Sequence, residues 1–363
     1  DTIKWTGGQQ GQLLDLEYTT DNGNSFSIIQ LGVLAESLSY AWTIPNNLLS
    51  TKVKIRLIDV VDTLISVTSD SFRVKPYIIT KVDANGDYIS YDRDTDVWNF
   101  GNYPEHMWPM DWYSQFDYQG IDPFTNKEYP QEGFIAFKVA PDSIHPDWVS
   151  WVNTFGISAC YFNVSIPVYS LNAILRWQYA NGLWNGSCFG ISASNALAFS
   201  SKDEFLEAYP SFPSSFFSPI TVQSDTGVKR VVNELFAHQF GNPSRQATLN
   251  NNRWKTITPN ETLNEVKAML KEDSVKIRTL ALWNNNGTGG HNILVYGLEQ
   301  DETQKEIYYL FVYDNSRPSN TNALILIDTT GNSNQGTWLT TYAWTTWGGP
   351  SKLMLEIESS NYL

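Results

Sequence analysis

Cys188 stands in "NGSCFGISASNALAF", directly after a Gly-Ser pair and at the head of a run of small residues. It is one of only two cysteines in the chain. The run predicts a helix that begins near Cys188. Unpaired N–H groups and the dipole at a helix N-terminus favour a thiolate over a thiol, so a cysteine placed there is a candidate nucleophile. A nucleophilic sulfur needs a base. His291 follows the glycine-rich turn of "GTGGHNILVYGLE", at the start of an apolar strand pattern. The next apolar run, "LFVYDNSRP", closes on Asp314 and Asn315. If these two runs pair as antiparallel neighbours, the start of one lies beside the end of the other, and His291 meets the Asp314-Asn315 pair. Side chains alternate faces along a strand, so only one of the two reaches the imidazole. Cysteine, histidine and a side chain that orients the imidazole are the parts of an acyl-transfer triad.

The same residues have plainer readings. Cys188 could be an inert buried thiol or half of a bridge to Cys160, and His291 a structural histidine. Cys160, in "FGISACYFNV", reads as a reduced core residue of an apolar strand. His238 closes an amphipathic helix pattern and reads as structural. His106 and His145 have no Cys, Asp or Glu at ligand spacing. Asp83, Asn85 and Asp87 lack the remaining ligands of a calcium loop and read as a polar turn. The residues imply neither a metal nor an organic cofactor.

The elements that must position the triad begin near Leu171. "SKDEFLEAY" follows the Cys188 helix with a capping-box pattern, Ser201 to Glu204. "TGVKRVVNELFAHQF" puts Val228, Val231, Val232, Leu235 and Phe236 on one helical face. Thr258, Pro259 and Glu261 open a further helix. Strand patterns then take over in "VKIRTLALW", "HNILVYGLE", "IYYLFVYDN", "ALILIDTT" and "KLMLEIE". Helices followed by antiparallel strands give an α+β order.

The N-terminal part has a different texture. "LLDLEYTTDNGNSFSIIQLG" alternates apolar and polar residues on both sides of Asp21-Asn22-Gly23, a hairpin signal. "SYAWTIP", "KVKIRLIDV" and "DSFRV" continue at similar spacing, which predicts a small all-β sandwich of about seven strands. Between the two parts, "DVWNFGNYPEHMWPMDWYSQFDYQGIDPF" is dense in Trp, Tyr and Phe without helical or strand periodicity. Such a segment packs across a neighbouring domain or lines a substrate cleft.

A length of 363 residues fits two or three compact units. The 24 basic and 38 acidic residues leave a net charge of −14, which repels phosphates and speaks against nucleic acid or an anionic membrane as partner. No apolar run is long enough for membrane insertion. Two cysteines make no disulfide scaffold. Richness in Asn, Ser, Thr and Tyr, with little Lys, and an abrupt start at "DTIKWTGG" are what a processed, extracytoplasmic protein would show. The sequons at Asn163, Asn185, Asn260 and Asn286 matter only in a eukaryotic secretory pathway.

Two resemblances run through these strings. The strand pattern of the first 78 residues resembles the immunoglobulin-like or fibronectin-type modules appended to secreted bacterial enzymes, and implies a spacer or a module docking to substrate or cell surface. "LRWQ…NGSCFGISA", "GGHNILVYGL" and "FVYDNS" resemble the Gln, Cys, His and Asn/Asp blocks of papain-like cysteine peptidases, in that order. This second resemblance implies an α+β catalytic domain over 169–363, with 79–168 as an aromatic-rich connecting region packed on it. It implies Cys188 as nucleophile, His291 as general base and acid, and Asp314 or Asn315 as the orienting residue. Gln178 would supply an oxyanion-hole amide, although the gap to Cys188 is longer than the family's, which leaves Asn181 or Asn185 as alternatives. The expected activity is hydrolysis of protein or peptide substrates through a thioacyl-enzyme. An amidase or transglutaminase-type acyl transfer, or a retired peptidase fold used for binding or adhesion, are the competing expectations.

Overall fold

Alternation in "LLDLEYT" and "SIIQLGVL" produces the expected hairpin. Strand β1 (Thr2–Lys4) is followed by β2 (Leu13–Thr19) and β3 (Ser27–Leu34), which pair antiparallel. Asn22 and Gly23 take positive φ values of 64° and 105°, as the turn between them requires. The Asp21 carboxylate ties that turn by accepting from the Asn24 and Ser25 N–H groups and the Ser25 hydroxyl. Strands β4 (Ser39–Ala41), β5 (Ser50–Asp59), β6 (Ser66–Thr68) and β7 (Phe72–Val74) complete this part. β3, β2, β5 and β6 lie side by side, β7 pairs with β5, and β1 pairs separately with β4. Leu16, Trp42, Leu48, Val53, Ile55, Leu57 and Val74 form the core beneath them.

The computed structural model describes residues 2–45, 48–75, 77–98, 100–103, 121–129, 147–166, 168–183, 186–210, 226–241, 253–272, 277–301, 303–342 and 347–358. The chain is mixed α/β and divides into two units, 1–90 and 91–363. The division falls after Ser90 because the hairpin of β8 (Thr80–Val82) and β9 (Tyr88–Ser90) groups with the first unit. Asp83, Asn85 and Asp87 form its turn. Asp83 accepts from the Asn85 and Asp87 amides, and Asp87 pairs with Lys52 at 2.7 Å.

In the second unit, short hairpins β10 (Ile121–Asp122) with β11 (Lys127–Glu128), and β12 (Tyr161–Asn163) with β13 (Val168–Tyr169), accompany the helices. The longer helices are α1 (Trp148–Phe155), α2 (Leu171–Leu183), α3 (Cys188–Ser200), α4 (Thr226–Ala237) and α5 (Pro259–Lys271). A curled antiparallel sheet follows, made of β14 (Arg278–Trp283), β15 (Gly290–Gln300), β16 (Ile307–Tyr313), β17 (Leu324–Asp328), β18 (Thr337–Thr340), β19 (Gly348–Gly349) and β20 (Leu353–Glu358). The spatial order is β19-β18-β17-β16-β15-β14-β20. Among the described residues no helix is long and apolar enough to cross a membrane.

The central element is α3. Every residue from Phe189 to Phe199 is buried, which suits a helix of small and apolar residues packed on all sides. α4 covers one side, and β14 and β15 cover another. Its buried polar groups are matched by the segment that opens the unit. Trp98 Nε1 donates to Ser194 Oγ at 2.9 Å, Tyr91 Oη to Asn195 Oδ1 at 2.8 Å, and Asn195 Nδ2 to the Asp96 carbonyl at 2.8 Å. The aromatic segment thus packs on the helix through its first residues, while Trp108, Trp112, Tyr113, Phe116 and Tyr118 lie outside the described residues.

Gly190 is where α3 and α4 touch backbone to backbone. A Cβ there would lie 1.9 Å from the Val232 carbonyl oxygen, so only glycine allows this approach. Gly190→Ala is expected to force the helices apart and cost about 1–3 kcal/mol or more. Chemical denaturation of the purified variant measures it, and wild-type stability would mean that the helices do not pack this closely.

The capping box expected at Ser201–Glu204 is absent. Ser201 begins the short helix Lys202–Ala208, yet makes no side-chain cap. Its N–H, which Glu204 would have to satisfy, already donates to the Leu197 carbonyl at the end of α3. A complete box forms instead at Thr258 and Glu261, with Pro259 in the first turn of α5.

Candidate active site

Cys188 is the first residue of α3 and is partly exposed. Ser187 before it caps the helix by backbone position only. Its hydroxyl donates to Asn233 Oδ1 of α4 at 2.7 Å, so it makes no side-chain cap. The Ser187 side chain therefore offers no acceptor to the first N–H groups of the helix.

His291 is the second residue of β15, and Asp314 directly follows the last residue of β16. Antiparallel pairing sets Leu294 against Tyr313, which carries the start of one strand to the end of the other. His291 Nε2 donates to Asp314 Oδ1 at 2.7 Å, and both side chains are buried. Cys188 lies near enough to the same imidazole to favour its charged form. Since Nε2 is committed to the carboxylate, Nδ1 is the nitrogen left for the sulfur.

Asp314 is itself held on three sides. Oδ1 also accepts from the Ser316 N–H at 2.8 Å, and Oδ2 accepts from the Tyr342 hydroxyl at 2.9 Å. Burial opposes its charge, but His291 and these donors outweigh it and bring its pKa to about 2. Burial likewise opposes an imidazolium at position 291. The carboxylate beside it and the Cys188 contact prevail and push His291 up to about 10. Burial and the neighbouring Asp314 raise the Tyr342 phenol, which keeps it a neutral donor.

Asn315 points elsewhere. The two hydrogens of its Nδ2 are shared among three acceptors, the Cys188 carbonyl at 2.9 Å, Ser192 Oγ at 2.8 Å and the Asn292 carbonyl at 2.8 Å. It ties the start of α3 to β15 and does not reach the imidazole, so of the two candidates Asp314 is the partner of His291. Both residues lie just past β16, where the chain enters a turn, and there Asp314 faces the histidine and Asn315 the helix.

Gln178 is half-buried on α2, and no hydrogen bond joins it to Cys188 or His291. The side chain of Asn181 and all of Asn185 lie outside the described residues, as do His106 and His145. Cys160 is free, which overturns the alternative of a bridge to Cys188. It is fully buried, and burial pushes its thiol up to about 12. It lines a separate cavity of about 130 Å³ with Trp151, Phe155, Arg176 and Phe240. His238 packs edge-on against the Phe155 ring at 6.0 Å, within the helical layer.

Several residues around the triad carry no local sequence signal. Tyr342 and Ser316 brace Asp314, and Asn233 diverts Ser187. Asn102 accepts from the Ser187 N–H at 2.6 Å through Oδ1 and donates its own N–H to the Asn315 carbonyl at 2.8 Å. Tyr103 reaches the same turn, its hydroxyl donating to the Ser316 carbonyl at 2.9 Å. Against protein-family models, curated proteins and solved structures alike, nothing matches this chain.

Proposed function

We propose that the second unit is a cysteine peptidase of papain-like type. The observation that carries this reading is the single imidazole shared between the partly exposed Cys188 and the buried Asp314 carboxylate. His291 takes the thiol proton, and the sulfur attacks the scissile carbonyl carbon. The carbonyl π electrons move onto oxygen, then return as the C–N bond breaks, and His291 gives its proton to the departing amine. Water, deprotonated by the same imidazole, releases the acid and restores the thiol. Asp314 holds the ring and stabilises its charged form throughout. The substrate is a protein or peptide, and neither a metal nor an organic cofactor takes part. The first unit is an immunoglobulin-like sandwich serving as spacer or docking module, and the protein works outside the cytoplasm.

The test has two arms. Purified chain is treated with a haloacetamide, and labelling of Cys188 is followed by mass spectrometry. Rapid labelling that drops about 100-fold or more in His291→Ala is expected, because the base is lost. Slow labelling indifferent to His291 would leave the unit as a binding module on a retired fold. The second arm mixes the chain with a protein substrate. New peptide termini support hydrolysis; modified glutamine side chains without cleavage would move the assignment to amidase or transglutaminase chemistry, which employs the same three groups.

A further inference from the structure

Attack on a carbonyl creates a negative oxygen, and the residues so far supply one donor for it, the Cys188 N–H at the start of α3. We propose that Asn102 Nδ2 is the second donor, the role expected of Gln178. This assignment rests on the peptidase reading above.

The carboxamide of Asn102 is fixed at both ends of its residue. Oδ1 accepts from the Ser187 N–H at 2.6 Å, and the backbone N–H is bonded to the Asn315 carbonyl at 2.8 Å. The Ser187 contact also decides which end of the amide is which, because an N–H donor must face the oxygen. Nδ2 is therefore the end turned from the Ser187 N–H, and it lies beside Gly186, two residues before Cys188. It donates to no other group of the described residues, and Asn102 is only half-buried.

Gly186 makes room for it. A Cβ at this position would lie 2.9 Å from Nδ2, and the backbone φ of +144° is one that side-chain-bearing residues rarely adopt. The loop thus keeps an unpaired, preoriented amide against the N-terminus of the helix that carries the sulfur. Ser187, which could have blocked that terminus by capping it, is turned away to Asn233. A donor already held in place needs no reorganisation when charge develops, which is the condition for strong oxyanion stabilisation. Gln178 has no comparable tie to the Cys188 turn.

Asn102→Asp keeps the acceptor for Ser187, replaces the donor with a second carboxylate oxygen and adds a negative charge. Asn102→Ala removes both, and Gln178→Ala tests the rival. Three readouts separate the roles: steady-state hydrolysis of a peptide, affinity for a peptide aldehyde that forms a tetrahedral adduct on the sulfur, and the plateau rate of haloacetamide alkylation, which forms no oxyanion. Both Asn102 variants are expected to lose about 10²–10³ in kcat with little change in KM. Aldehyde affinity should fall in parallel, while alkylation keeps its plateau rate and Gln178→Ala stays near wild type.

Retained turnover in Asn102→Asp, or loss in Gln178→Ala instead, overturns the assignment and leaves the peptidase reading intact. Alkylation falling together with turnover in both Asn102 variants also overturns it, since the residue would then be holding the Cys188 turn. A wild-type chain that neither hydrolyses the peptide nor shows His291-dependent alkylation takes down the peptidase reading, and this assignment with it.

Discussion

Cys188→Ala is expected to abolish peptide hydrolysis, with a loss in kcat on the order of 10⁵–10⁶, because no other group can form the acyl intermediate. Stability should change by no more than about 1–2 kcal/mol. The sulfur is partly exposed at the first position of α3, where alanine is well tolerated. The tie from Asn315 goes to the residue's backbone carbonyl, so the substitution leaves it in place. A direct peptide assay, paired with a thermal melt, measures both quantities. A variant that kept most of its turnover would remove the mechanism, since the other cysteine is buried among aromatic side chains with its thiol raised to about 12.

Asp314→Asn is the second large effect. The new amide would still touch the ring but would no longer stabilise its charged form, and it could impose the wrong tautomer. A fall in kcat of about 10³–10⁴ is expected. The pH profile should move as well. His291 is raised from 6.5 to about 10, chiefly by Asp314 acting against burial, so the wild-type alkaline limb extends toward 10. In Asp314→Asn that limb should retreat toward 6.5.

Stability follows the same pair. The raised histidine contributes fully below 6.5, and its contribution disappears as pH climbs through about 10. The lowered aspartate contributes above 3.8 and loses its contribution as pH falls through about 2. The stability gap between wild type and Asp314→Asn should therefore be widest between these inner limits, from 3.8 to 6.5, and shrink on the alkaline side.

Asn315→Ala makes the contrast. It removes the Nδ2 group, whose two hydrogens serve the Cys188 and Asn292 carbonyls and Ser192 Oγ, and should cost about 2–4 kcal/mol. Its pH profile should keep the wild-type alkaline limb, because the imidazole keeps its carboxylate. Equal, modest effects from both substitutions would mean that neither residue orients the histidine.

Much of this arrangement was legible from short stretches. The run after Cys188 reads as a helix start and is one. The apolar runs ending in Trp283, Glu299, Asn315, Thr330 and Glu358 read as strands and hold β14, β15, β16, β17 and β20. The two runs bearing His291 and Asp314 are the neighbours their antiparallel reading required. Other features escaped. β18 and β19 are short and lack an alternating run of useful length. The Ser201 box had the right residues at the right spacing, but its N–H was already committed to the preceding helix.

By itself the sequence determined where the Cys188 helix and the main strands lie, and that a cysteine, a histidine and an acid or amide stand at element ends. Those properties depend on residues within one or two turns of each other, and the chain expresses them locally. Only the tertiary structure decided that Asp314 and not Asn315 meets the imidazole, that Tyr342 braces the carboxylate, that the two sulfurs stay unbonded and that Asn102 sits against the Ser187 turn. Each is a contact between groups far apart in the chain. Helix packing and strand pairing set such meetings, and no local pattern encodes them.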